Sequence, residues 1–225
     1  MTVRVSERVQ DALATEDQGV SMYTLYYYPF SQHARRVHAL LEEARLPYSL
    51  TLVDVGKGEH RERAYQAVNS NRQVPTLLDG DFKLFESNAM LRYLCQKHGL
   101  EQWYPEEPRA RARVDQWLDW NQTRLGPAVV DIVLNKVFLG NDGDKAAMMR
   151  GYGRLESLAV ILGEALERRN FITGEAPTIA DLSIASNITQ LGLAQSVPQV
   201  PAIERWYRHV CEIQGFAASL PPSRE

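Results

Sequence analysis

From residue 22 the chain alternates between short apolar runs and amphipathic stretches, punctuated by Pro and Gly. "MYTLYYY" is a β-type run stopped by Pro29. "SQHARRVHALLEEARL" repeats apolar residues at Val37, Leu40, Leu41 and Ala44, which is helical spacing, with Ser31 placed to cap it. "YSLTLVDV" reads as a second strand and "GEHRERAYQAVN" as a shorter, mostly polar helix. "VPTLLDGDFKLFE" reads as two strands joined at Asp79-Gly80, a strong hairpin signal, and "SNAMLRYLCQKHG" as a helix ended by Gly99.

The order is βαβαββα. A βαβ half joined to a ββα half predicts a small four-stranded mixed sheet with helices on its faces, the layout of a thioredoxin-like domain over residues 22–101. "LEQWYPEEPR" is Pro-rich and acidic, and places a linker at 102–108. From Arg109 to the end the pattern is helical only, through 109–138, 145–169, 179–194 and 200–213. The predicted class is therefore α/β plus all-α, an N-terminal thioredoxin-like domain followed by a C-terminal helical bundle domain (109–225). Residues 1–21 read as a tail. They lack the apolar core of a signal peptide and carry Glu7, Asp11, Glu16 and Asp17, unlike a transit peptide.

Composition narrows the function classes. Apolar residues make up 44% and charged residues 24% of 225 residues, as in a globular domain, and the formal net charge of −3 provides no basic field for nucleic acid or anionic lipid. No apolar run reaches the roughly 20 residues of a membrane span. The two cysteines, Cys95 and Cys211, lie far apart with no CxxC or metal-type spacing, so no metal site is written here and a reducing, cytoplasmic setting is expected.

The chemistry concentrates in "RQVPTLLDGDFKLFES" (72–87). A proline at a strand start removes a ladder donor; with a cis bond, the backbone of Val74 would face outward and could hold an extended peptide. A plain strand-start proline is the alternative. Glu86 and Ser87 stand where the second hairpin strand becomes a helix. The helix N-terminus and Ser87 suit a carboxylate, and Glu86 suits an ammonium, so the pair matches an α-amino-acid head group. Taken alone, the pair is more simply read as plain capping by Ser87 with a solvated Glu86, because Ser is a common N-cap. Combined with the N-terminus of the first helix at Ser31, these features describe a site for a short peptide with a free amino-acid end, such as glutathione.

"VPTLLDGDFKLFESNAMLRYL" resembles the glutathione-site signature of the glutathione transferase superfamily. "SQHARRV", "KGEH", "RQVPTL", "FES" and "WYPEEPRARARVDQWLDWNQT" are similar to the theta class and its bacterial relatives, and "FITGEAPTIADLSIA" carries a Thr178/Asp181 capping box like that of the family's second domain. The resemblance implies a homodimeric enzyme that uses glutathione as co-substrate, needs no metal, and acts on small electrophilic, largely apolar substrates. By position it assigns Ser31 as the hydroxyl that donates to the glutathione sulfur, with Tyr26, Tyr27 and Tyr28 as rival hydroxyls. It assigns His60, Gln73, Val74, Glu86 and Ser87 to glutathione binding, and gives Asp115 a role across the dimer toward the γ-glutamyl ammonium. An acceptor pocket between the domains is expected to draw on Phe30 and on Trp117, Trp120, Asn121 and Arg124, although an aromatic stripe at helical spacing is more often core.

Two departures from the family pattern matter. His33 and Ala34 stand where the Ser-Gln-Pro-Cys-Arg turn of relatives has Pro and Cys, which disfavours thiol exchange through an enzyme sulfur. The chain also stops at residue 225, short of the C-terminal segment of typical theta enzymes, and an open acceptor pocket is the expectation. Dehalogenation, hydroperoxide reduction and non-catalytic glutathione binding are the competing functions.

Overall fold

The structure is a computed structural model that describes residues 22–222, so the expected tail at 1–21 lies outside the described residues. Four strands form one sheet: β1 (Tyr23–Tyr27), β2 (Tyr48–Leu52), β3 (Thr76–Asp79) and β4 (Phe82–Leu84). Their order is β2-β1-β3-β4, with β1 parallel to β2 and antiparallel to β3, and β3 antiparallel to β4. The mixed sheet is the one the element order predicts. Asp79 pairs with Phe82, leaving the two-residue turn Gly80-Asp81, where Gly80 takes φ +59°, a left-handed backbone that glycine adopts without strain.

Side-chain alternation along the strands divides the core. Leu25 and Leu77 face α1 (Gln32–Glu43) and a later helix, α3 (Ser87–Lys97), packing with Val37, Leu40, Leu41, Met90, Leu91 and Leu94. The residues one step along, Tyr26 and Leu78, face the other way and meet Val53, Tyr65 and Val68. Each fully buried aliphatic side chain contributes about 1.5–3 kcal/mol of transfer free energy. The expected helix at 58–69 is instead a 3-10 turn (Glu59–Arg61) followed by a single turn of α-helix, α2 (Arg63–Gln66), because Glu62 between them is extended at φ −72°, ψ 150°.

The helical domain begins at α4 (Pro108–Trp120), with Pro at the first turn and the Glu107 carboxylate accepting from the N–H groups of Arg109 and Ala110 at 3.0 and 2.7 Å. The helix continues as a π turn (Asn121–Leu125), α5 (Gly126–Val133) and a second π turn (Leu134–Phe138). Then follow α6 (Lys145–Leu166), α7 (Ile179–Leu193), α8 (Pro201–Cys211) and α9 (Gln214–Ala218). The sequence pattern did not anticipate α9, which is only five residues long. It is held by packing: a Cβ on Gly215 would lie 2.3 Å from the Ala39 carbonyl oxygen, so only glycine lets α9 approach α1 this closely, and its N–H donates to Glu43 at 2.8 Å. The hydrophobic core runs without a break from the first domain into the second, through Val114, Leu118, Leu182, Ile184 and Trp206.

Candidate functional site

Four chain segments converge on one open cleft of about 410 Å³, a volume that includes space open to solvent. The Val74-Pro75 peptide, which is cis, forms one wall with Gln73. The Glu86–Ser87 turn forms the facing wall, while His33 from α1 and Gln122 from the π turn after α4 close the third side. The sequence places Gln73, Val74, Glu86 and Ser87 together, and the structure does bring these four to one cleft. His33 and Gln122 join them without a motif to announce either.

The wall at Val74 has a free edge. Val74 lies outside the ladder, and neither its N–H nor its C=O has a partner among the described residues. Its neighbour Gln73 has an exposed side chain, but its carbonyl is fixed by the Tyr65 hydroxyl at 2.7 Å and Asn69 Nδ2 at 2.9 Å. Tyr65 and Asn69 also reach the Thr76 hydroxyl, at 2.9 and 3.0 Å. Sequence reading missed these two supports because their partners become neighbours only when the loop closes.

At the facing wall, Ser87 is the first residue of α3 rather than its cap, and it is buried. Glu86 occupies the cap position with φ 69°, ψ 104° and makes no side-chain capping bond, leaving its carboxylate exposed toward the cleft. A non-glycine residue at such a φ costs of order 1–3 kcal/mol, and strain of this kind gathers at binding sites. The amides at the start of an eleven-residue helix meet Glu86 here, so acceptor and donor stand side by side.

Ser31 caps α1, with φ −88° and ψ 115°, and its Oγ accepts from the Ala34 N–H at 3.2 Å. That bond occupies an oxygen lone pair and leaves the hydroxyl hydrogen without an acceptor among the described residues. Of the rival hydroxyls, Tyr26 is buried against Tyr65, with ring centroids 5.8 Å apart, and burial raises its pKa. Tyr27 packs toward His38, and the Tyr28 hydroxyl lies beside Gly56. Ala34 is buried, so the turn carries no thiol. Cys95 is buried and pushed up to about 12 by that burial, and Cys211 sits on α8.

Other expected residues lie elsewhere. His60 is in the 3-10 turn, outside the cleft lining; its Nδ1 is buried without a partner, and burial, then Arg61, lower its pKa. Asp115, on α4, is engaged within its own chain: Arg92 Nε donates at 2.7 Å and the Tyr104 hydroxyl at 3.0 Å. Phe30 is half-buried beside the Tyr28 ring, its carbonyl accepting from Gln190 Nε2 at 3.0 Å. Two expected acceptor-pocket residues are corrected by their burial. Asn121 is fully buried, donating to the Ser183 hydroxyl at 2.9 Å and accepting from Asn187 at 2.8 Å, and Trp117 is core, with Trp120 edge-on at 5.1 Å. Trp120 is half-buried and Arg124 exposed. Among the described residues, no group of three or more His, Cys, Asp or Glu could hold a metal ion, and no helix is long and apolar enough to cross a membrane.

Beneath the cleft two arginines of α1 are buried side by side. Arg36 NH1 donates to Asn88 Oδ1 at 3.2 Å, Arg35 NH1 to the Ser186 carbonyl at 3.0 Å, and the Nε and NH2 groups of both have no partner. Burial, then the Arg35 charge, lower the pKa of Arg36, with Glu86 opposing. Both remain protonated at neutral pH, and the Arg36 charge is close enough to act on His33, which lines the cleft.

Residues 25–105 match the family described as "Glutathione S-transferase, N-terminal domain". Human glutathione S-transferase theta-1 is 35% identical over 164 residues, 70% of this chain and 68% of the human one. GstB of Escherichia coli K12, also a glutathione S-transferase, is 30% identical over 197 residues, 85% and 94% of the two chains. The crystal structure of a theta class glutathione S-transferase from Xanthomonas axonopodis pv. citri, with glutathione bound, superposes with a TM-score of 0.83 at 25% identity, covering 91% of this chain and 99% of that one. By its sequence, fold and cleft, the chain belongs to the glutathione S-transferase family and is theta-class-like.

Proposed function

We propose that this glutathione transferase holds the glutathione sulfur as a thiolate through the Ser31 hydroxyl and directs it at small electrophilic, largely apolar substrates. The observation that carries this reading is the division of labour at Ser31 Oγ, which accepts from Ala34 at 3.2 Å and keeps its hydrogen to donate. An ordinary thiol has a pKa of about 8.5, and the thiolate is the nucleophile. Lowering that pKa by about two requires about 2.7 kcal/mol of preferential stabilisation of the charged form. A charge-assisted hydrogen bond of about 1.5–3 kcal/mol, together with the N-terminal dipole of α1, is of that size. The thiol proton leaves to solvent through the open cleft. Sulfur then bonds to the electrophilic carbon, and either a leaving group departs with the electron pair or the adduct takes a proton from water.

The rest of the cleft serves positioning. The unpaired N–H and C=O of Val74 suit the backbone of a tripeptide by strand addition. Glu86 suits its ammonium, the α3 amides and Ser87 its γ-glutamyl carboxylate, and Gln73 and His60 its glycyl end. Phe30, Trp120 and Arg124 are the acceptor-side residues that their exposure leaves available. Exposed Phe82 and Phe85 near the cleft rim favour a homodimer, in which Asp115 would approach the partner's site. Two free cysteines fit a reducing cytoplasm.

The test is a glutathione titration of wild type and Ser31→Ala, following the ultraviolet absorbance of the thiolate against pH. Wild type is expected to show bound thiolate near neutral pH, and Ser31→Ala to bind glutathione while its thiol pKa rises by about one to two. Binding without a lowered thiol pKa in wild type would sink the catalytic reading in favour of a binding module.

A further inference from the structure

The cleft contains one polar ring that the glutathione reading has not used. His33 is the second residue of α1, and it lines the cleft together with Glu86, Ser87 and Gln122. Neither of its ring nitrogens has a hydrogen-bond partner among the described residues. Burial, and then the Arg36 charge, push its imidazole down to about 3, so the ring is neutral at physiological pH. A general base needs a pKa near the working pH, which this ring lacks. A neutral imidazole instead offers one N–H donor and one acceptor nitrogen.

The neighbours decide which part of a ligand such a donor would meet. Ser31, where the sulfur is placed, is not among the residues that line this cleft, whereas Glu86 and Ser87 are. The buried Arg36 charge reaches His33 and disfavours a cation against the ring. Glu86 supplies the counter-charge for an ammonium. The carboxylate placed at Ser87 and the α3 amides can take a further neutral donor, and the ring is one.

We propose that His33 is a specificity residue for the γ-glutamyl end of glutathione, donating a ring N–H to its α-carboxylate beside Ser87. This inference rests on the glutathione reading.

The experiment is calorimetric binding of two tripeptides to wild type, His33→Ala and His33→Gln. One is glutathione; the other is 4-aminobutyryl-cysteinyl-glycine, which keeps the amine, the thiol and the glycine but lacks the α-carboxylate. His33→Ala is expected to weaken glutathione roughly ten-fold, the size of one hydrogen bond to a charged acceptor, while leaving the truncated peptide within about two-fold. His33→Gln, which retains an N–H donor, should recover part of the loss. Equal binding of glutathione by wild type and His33→Ala overturns the inference, as does the same loss for both peptides. Should wild type bind neither peptide, the glutathione reading itself fails, which is a separate outcome. If the alanine variant does not fold, the ring ¹⁵N shifts of His33 in wild type decide the matter: they should move with glutathione and stay with the truncated peptide, and a ring blind to both overturns the proposal.

Discussion

Asp181 and the Arg35–Arg36 pair are both charges buried in the same core, and they are accommodated in opposite ways. The Asp181 carboxylate is fully inaccessible and accepts four bonds: from the Ile172 N–H at 2.8 Å, Trp206 Nε1 at 2.8 Å, the Thr178 N–H at 2.9 Å and the Thr178 hydroxyl at 3.0 Å. Burial raises its pKa and those four donors oppose the rise, so the group joins three segments of the helical domain with each of its bonds made. Among the described residues the arginines have one hydrogen-bond partner each, through NH1, with the remaining nitrogens unmatched and no carboxylate in ion-pair contact. A satisfied buried charge is a structural fastener. An unsatisfied one costs stability, because its remaining donors have lost water without gaining a partner.

Four variants would break or sharpen that contrast. Removing the Asp181 carboxylate strands four buried donors, and Asp181→Ala should lose about 3–5 kcal/mol in equilibrium denaturation; a loss under about 1 kcal/mol would mean the node is not a fastener. Gly215→Ala forces a methyl against the Ala39 carbonyl at the back of the helix that bears the arginines, and overpacking of this kind costs about 1–3 kcal/mol. A lowered melting temperature is the readout. Arg36→Met should instead be neutral or stabilising by about 1–2 kcal/mol, because an apolar side chain of similar volume leaves no donor unpaired, while glutathione affinity falls. Unchanged affinity would separate the arginine pair from the cleft.

The smallest effect is a pH dependence at His33. Its folded pKa of about 3 lies below the unfolded value of 6.5, so the unfolded chain binds the extra proton between them. Stability from this residue is complete above about 6.5 and is lost as pH falls toward 3. From pH 7 to pH 5 wild type should lose about 1–2 kcal/mol more than His33→Gln, with the lower end reflecting the ring edge that meets solvent.

Legibility in the sequence followed the range of each interaction. The Asp79-Gly80 hairpin and the Thr178/Asp181 capping box are local, and residue types at fixed offsets announce them. Gln73, Val74, Glu86 and Ser87 were legible as one site because they lie within fifteen positions of one another in sequence. Asn121 misled, since polar identity at a helical spacing suggested a pocket, whereas Ser183 and Asn187 of α7 enclose it. The second helix was overread because polar periodicity alone could not carry it past the extended Glu62.

By itself, the sequence determined the element order, the mixed sheet, the passage to helices after the linker and the turn residues of the cleft, because backbone propensity and side-chain periodicity act within a few residues. Only the tertiary structure decided which charges go unpaired, that Glu86 is left at φ 69°, that α9 seats on Gly215 and that His33 turns into the cleft. These depend on distant segments meeting, as Arg35 meets Ser186, and burial and hydrogen-bond satisfaction are properties of that meeting rather than of any residue alone.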